Sequence, residues 1–236
     1  MKKHTLFALL GAGTLALSAS VGFAAWTIKN ATDSKTDSSL HLSADATINN
    51  ENVTLNEGTK WTDSTVQFKP VKSKATYSWL DASEDLPEED LSASYAISGT
   101  AGKNQTLTIS ATFEETKSES SDAESYAALT KLGDNKDKTG HGIVGTLPTP
   151  KISHGSTGNA QDSSLSIRAD DNGSFSATIT VTFSWGAAFG GKNPYAYYNS
   201  YEYSKTLADL AQKNIGYLSN LPKCSFKLTV TVTASK

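Results

Sequence analysis

The chain has 236 residues, with 21 Lys and Arg against 24 Asp and Glu, a formal net charge of −3 and 37% hydrophobic content. It has no basic block, which argues against nucleic acid as a partner, because a phosphate backbone calls for a clustered Lys/Arg stripe. The one cysteine, Cys224, excludes an intrachain disulfide and a cysteine-based metal cluster, and the one arginine, Arg168, argues against a carboxylate or phosphate clamp.

The chain starts with a short basic run, Met1–His4, followed by apolar and small residues from Thr5 to Val21 and by Gly22-Phe23-Ala24. These are the three parts of a secretory signal peptide, so residues 1–24 are expected to be removed by a cut after Ala24. No cysteine stands at that cut, so lipid attachment there is excluded. The alternative is a retained anchor, because Thr5–Ile28 approaches the roughly 20 residues of a membrane span. On either reading the membrane is met only through the leader, and the domain lies outside it.

Residues 25–39 hold a short apolar strand, Trp26-Thr27-Ile28, and a polar spacer of Asp, Lys, Ser and Thr. Residues 40–236 read as one β-sandwich domain. Leu40 and Leu42 open a strand that runs toward Ile48, Val53 and Leu55 make a second, and Val66 and Phe68 a third that Pro70 stops. Lys74–Leu80 places Tyr77 and Trp79 on one face, and Asp81–Asp90 is an acidic loop. Leu91–Ser98 and Leu107–Phe113 alternate around a turn at Gly99–Gly102, which predicts a hairpin. Ser121 with Glu124 makes a capping box for a helix carrying Tyr126, Leu129 and Leu132, which Gly133 stops.

Asp134–Ser164 reads as a long loop. Phe175, Ala177, Ile179, Val181, Phe183 and Trp185 then alternate with Ser and Thr over Ser174–Gly186, a half-buried strand. Asn172-Gly173 just before it predicts a hairpin with Leu165–Ile167. Ser204 can cap a helix with Leu207, Leu210, Ala211, Ile215 and Leu218 on one face, ended at Leu221-Pro222. Ser225–Ala234 closes the chain as a regular strand, expected beside Ser174–Trp185. The expected fold is all-β, an antiparallel two-sheet sandwich of jelly-roll type with two short inserted helices.

No catalytic constellation is found. His41, His141 and His154 do not lie at metal-ligand spacing, and no His-Glu-x-x-His run exists. Asp134–Gly140 fails the calcium-loop pattern, since Lys136 and Lys138 occupy ligand positions and Gly145 stands where the closing Glu belongs. No Gly-x-Ser-x-Gly elbow and no phosphate loop appear. The chain is read as a non-enzyme with no catalytic, cofactor-binding or metal residue, and Cys224 as a small buried residue.

The chemically unusual stretch holds Trp185, Phe189, Tyr195, Tyr197, Tyr198, Tyr201 and Tyr203. Three uses are open: a lid that covers the end of the sandwich and packs on the next helix, a protein interface, or a sugar-stacking surface.

Gly22-Phe23-Ala24-Ala25-Trp26 resembles the small-residue cut and following aromatic of the TasA/camelysin group of secreted bacterial proteins, and Ser39-Leu40-His41-Leu42-Ser43-Ala44 is similar to their opening strand. The resemblance covers about the first fifth of the chain. It departs at Thr27-Ile28, where the group has an Asp, and at Asn56-Glu57-Gly58, where it has a Pro-Gly-Asp turn. The resemblance implies a jelly-roll subunit of an extracellular biofilm matrix, in which an N-terminal strand of one subunit completes the sheet of the next. Local chemistry agrees: a tethered apolar strand carrying Trp26 and Ile28 can add to a sheet edge, and head-to-tail addition does not close.

The expected function is therefore a secreted cell-surface or matrix structural protein, fibre-forming through Ala25–Asn30. Its expected partners are itself, other surface proteins or polysaccharide. The alternative is a non-catalytic carbohydrate-binding module using Tyr195, Tyr197, Tyr198 and Tyr201. A camelysin-like protease lacks a metal-ligand motif to support it.

Overall fold

Alternation with period two sends every second side chain to the core, and the strands follow it closely. The computed structural model describes residues 39–49, 52–56, 60–61, 65–68, 91–116, 125–138, 140–155, 160–198, 200–201 and 204–235. The strands in chain order are β1 (Ser39–Ile48), β2 (Thr54–Leu55), β3 (Lys60–Trp61), β4 (Thr65–Gln67), β5 (Ser92–Thr100), β6 (Thr106–Thr116), β7 (Lys151–Ser153), β8 (Gln161–Asp162), β9 (Ser164–Arg168), β10 (Ser174–Thr182) and β11 (Ser225–Ala234). The short α-helices are α1 (Tyr126–Leu129), α2 (Pro194–Tyr198) and α3 (Lys205–Gly216). The leader, the Trp26–Ile28 strand, the expected strand Lys74–Leu80 and the acidic loop Asp81–Asp90 lie outside the described residues.

Two sheets pack face to face. One has the order β4-β1-β11-β6-β9, and the other β2-β5-β10-β7-β8 with β3 also on β5. Their inward rows meet in one core. On β11, Phe226, Leu228, Val230 and Val232 are essentially inaccessible, and Phe175, Ala177, Ile179 and Val181 of β10 face them from the other sheet. At one end Phe113 stacks on Phe226, with centroids 5.5 Å apart. Phe183 meets Phe113 and Phe226 edge-on, and Tyr126 meets Phe183 and Phe226 edge-on, the arrangement that ring quadrupoles favour.

Four expectations are corrected. First, the sandwich is not wholly antiparallel: β1 runs parallel to β11, with Leu42 opposite Phe226 and Ile48 opposite Val232. Second, β11 does not lie beside β10. It is flanked by β1 and β6 in the other sheet, so the two most regular strands face each other across the core.

Third, neither expected hairpin forms. The turn chemistry before β10 is as read: Gly173 N–H donates to Asp170 O, Asp170 N–H donates to Ser174 O, and Gly173 has φ 80°. The flanking strands then separate, β9 pairing with β6 and β10 with β5. The turn between β5 and β6 does the same. Each is an arch from sheet to sheet, and the two arches are bonded to each other. Ala101 N–H donates to Gly173 O (2.8 Å), Ala169 N–H to Gln105 O (2.9 Å), and Arg168 Nε to Asn104 O (3.0 Å). A Cβ on Gly173 would sit 2.3 Å from Ala101 O, so the contact between arches needs glycine there. Splaying lets both apolar rows of each arch face a partner sheet, whereas a hairpin would leave the rows side by side.

Fourth, the described residues hold three short α-helices, not two, and the cap of α1 is Ser125. Its hydroxyl accepts from Ala128 N–H, while Glu115 Oε1 accepts from Tyr126 N–H at 2.6 Å. The expected long loop also contains β7 and β8. Ser163, with φ 58°, turns the chain from one sheet to the other and is held by Ala111 N–H and by Pro150 O. That corner closes one side of the sandwich.

Candidate functional site

Two places stand out, the side of the sandwich opposite the β8–β9 corner and the aromatic stretch after β10.

On the first, β4 covers only Ser39–His41 of β1. The consequence appears in burial. Leu40, under β4, is inaccessible, while Leu42, Ala44, Ala46 and Ile48 point the same way and are only partly buried against the core. Asn49 N–H donates to Val232 O. By the alternation of a parallel ladder, the odd-numbered amides of β1 serve β11, and those of Leu42, Ala44, Ala46 and Ile48 face outward. Among the described residues no strand pairs with that edge. The facing margin of the other sheet carries β2 and β3, with Leu55 and Trp61 also only partly buried. Trp61 meets Tyr95 edge-on at 5.3 Å, and its indole N–H is buried without a hydrogen-bond partner among the described residues. Burial, then Asp45, pushes the Tyr95 hydroxyl pKa up. Among the described residues the result is a half-open apolar margin beside backbone that no strand pairs, the features of a sheet edge open to a further strand.

The aromatic stretch packs inward. Trp185, Phe189, Tyr197 and Tyr198 are buried. Phe68, Trp185, Phe189, Tyr198, Tyr197 and Tyr201 form a chain of edge-to-face contacts with centroids 5.0–6.1 Å apart. The buried rings of this chain, Trp185, Phe189, Tyr197 and Tyr198, present no open face to a sugar or a partner, which is the lid arrangement. Gly186 lets it close: a Cβ there would stand 2.1 Å from Gly142 O, beside the Val144–Trp185 bridge. Tyr195 lies in α2 with its side chain outside the described residues, as Tyr203 is altogether. Tyr201 alone of the singled-out aromatics described here with a side chain remains partly exposed.

What holds this lid is a residue the sequence reading passed over. Asn214 is fully buried in α3. Its amide nitrogen donates to Asp134 O (2.6 Å) and to Tyr198 Oη (3.0 Å), and its oxygen accepts from Asp134 N–H (3.3 Å). A signal existed: Asn214 sits three residues after Ala211 and seven after Leu207, on the apolar face. Burial pushes the Tyr198 hydroxyl pKa well up, against the bond from Asn214.

Tyr201 stands at a cleft of about 520 Å³ lined by Lys136, Ser200, Tyr201, Ser204, Thr206, Leu207 and Leu210. Lys136 Nζ lies 4.4 Å from the Tyr201 ring centroid.

The other candidates are brought to no common site. His141 Nδ1 contacts Gly133 O, and His154 Nδ1 contacts Ser176 O at 2.6 Å. Among the described residues no group of three His, Cys, Asp or Glu could hold a metal ion. Cys224 is 1% exposed, and burial with nearby Glu115 pushes its thiol pKa from 9.0 up to about 12. The fold favours the neutral thiol, so its contribution to stability is complete below about pH 9 and is lost as pH rises toward 12. Between pH 9 and 11 the unfolding free energy should fall more steeply in the parent than in Cys224→Ala, by about 1.4 kcal/mol per pH unit. Urea midpoints measured across that range test this, and parallel curves for the two proteins would refute it.

Comparison with protein-family models, with curated proteins and with solved structures found no match.

Proposed function

We propose that the chain is a secreted, non-catalytic structural protein of a bacterial cell surface or extracellular matrix that assembles head to tail by N-terminal strand addition. The observation that carries this reading is the β1 edge. Beyond β4, four outward amides and four partly buried apolar side chains lie side by side, from Leu42 to Ile48. A strand laid there would gain main-chain hydrogen bonds and cover apolar surface in one step. The segment Ala25–Asn30 has the matching chemistry, since Trp26 and Ile28 would share one face of an added strand, and its sequence is joined to that of β1 by a polar spacer with few apolar residues.

The sandwich is read as a jelly roll on its nested pairing. β5 and β6 form one arch, β9 and β10 the next, with β5 on β10 and β6 on β9, which supports the wrapped order of that fold. Among the described residues no helix is long and apolar enough to cross a membrane. The domain's proposed place is outside the cell, where the leader would deliver it.

The test is deletion of Ala25–Asn30 from the mature chain. The variant should remain a folded monomer by circular dichroism and sedimentation, and electron microscopy should find no filaments under conditions where the parent forms them. Filaments from the deletion variant would remove strand addition.

A further inference from the structure

We infer that the cleft beside Tyr201 is a binding site for an acidic saccharide, a pyranose carrying a carboxylate, and that it works independently of strand addition. Three elements build it, and each is fixed before any ligand arrives. Lys136 stands in a turn in which Lys138 N–H donates to Asn135 O and Asp137 N–H to Asn135 Oδ1, and its own N–H donates to Tyr197 Oη at 3.0 Å. Tyr201 is set by its ring contact with Tyr197, 5.2 Å between centroids, and by its N–H on Tyr198 O. Ser204 and Thr206 come from the start of α3, whose floor residues Leu207 and Leu210 are apolar.

Charge selects the ligand. Among the described residues lining the cleft the one charged group is the Lys136 ammonium, and the hydroxyls beside it accept as well as donate, so a neutral sugar can be hydrogen-bonded but leaves the ammonium without a counter-charge. An anionic guest supplies that charge. Lys136 has no ion-pair partner among the described residues. Its contact with the Tyr201 ring is an exposed cation–π pair, which is weak enough for a carboxylate to draw the ammonium away. The ring so released and the two leucines then receive the apolar face of the pyranose. Buried Tyr197 and Tyr198 take no part beyond holding these groups.

The experiment is calorimetric titration of the mature chain with an oligogalacturonate and with a neutral oligosaccharide of equal length. Binding is expected for the uronate alone, weakening as salt is raised. Lys136→Met keeps the side-chain stem and should weaken it about tenfold, the size of one charge-assisted hydrogen bond. Tyr201→Leu should weaken it comparably. Both side chains lie at the surface, and circular dichroism checks that each variant folds. Equal binding of the neutral oligomer, no uronate binding, unchanged affinity in Lys136→Met, or binding of a phosphate-bearing oligomer in place of the uronate would each overturn the assignment. Filament formation is scored separately, so neither proposal shields the other.

Discussion

Ala46→Pro should abolish filament formation while leaving the subunit folded. The argument rests on which way each amide of β1 points. Proline removes an N–H and fixes φ near −65°, so in a strand it is tolerated where the lost N–H faces an edge. The Ala46 amide faces the edge that β4 leaves uncovered, while that of Thr47 faces β11. Ala46→Pro therefore subtracts a hydrogen bond only from an incoming strand. It should leave the unfolding free energy close to the parent's, and lengthen the assembly lag beyond measurement. Thr47→Pro is the paired control. It breaks the β1–β11 ladder, a hydrogen bond that a central strand cannot spare, and should destabilise the fold far more than Ala46→Pro does. If Ala46→Pro polymerises at the parent's rate, by light scattering and electron microscopy, the β1 edge is not where a strand adds.

These two variants also show what could be read in the sequence and what could not. Strand existence and facing were legible, because burial follows the period-two pattern residue by residue in β5, β6, β10 and β11. Pairing was not, because alternation states which face is wet and nothing about the neighbour. Asn172-Gly173 makes the tight turn that its chemistry demands, yet the turn is equally compatible with a hairpin and with an arch. The choice is made by residues far away, through Ala101 and Gln105 of the stacked arch. The parallel union of the first and last strands is likewise beyond local reading, since nothing near Ser39 or Ser225 records the other.

The aromatic stretch was conspicuous for the same reason that it is buried. Of the seven rings in those nineteen residues, Trp185, Phe189, Tyr197, Tyr198 and Tyr201 join Phe68 in a run of edge-to-face contacts that caps one end of the two-sheet core. The open margin at β1 had no comparable signal. Leu42, Ala44, Ala46 and Ile48 read as an ordinary buried row, and their partial exposure follows from how short β4 is, a property of pairing.

Asn214→Leu should strongly destabilise the lid. Leucine matches the apolar surroundings in α3 and roughly matches the volume, so propensity and packing alone predict a neutral change. The hydrogen bonds predict otherwise. Removing the amide leaves Asp134 O, Asp134 N–H and Tyr198 Oη without the partner that bonds them now, and Tyr198 is fully buried. Each buried orphan costs about 1–3 kcal/mol. Water can reach the partly buried Asp134 backbone, so the expected total is about 3–5 kcal/mol, and the melting temperature should drop by about 6–20 °C by calorimetry. Asn214→Asp separates the two roles of the amide. The carboxylate can still accept from Asp134 N–H, but it cannot donate to Asp134 O, and it places a charge in the core. It should be worse than Asn214→Leu at neutral pH and should recover part of the loss as acid protonates the carboxyl and restores a donor. Because Asn214 fixes the loop that carries Lys136, both variants should also loosen that loop, seen as faster amide exchange over residues 134–138. A melting point within a degree of the parent for Asn214→Leu would mean that the lid is held by its rings alone.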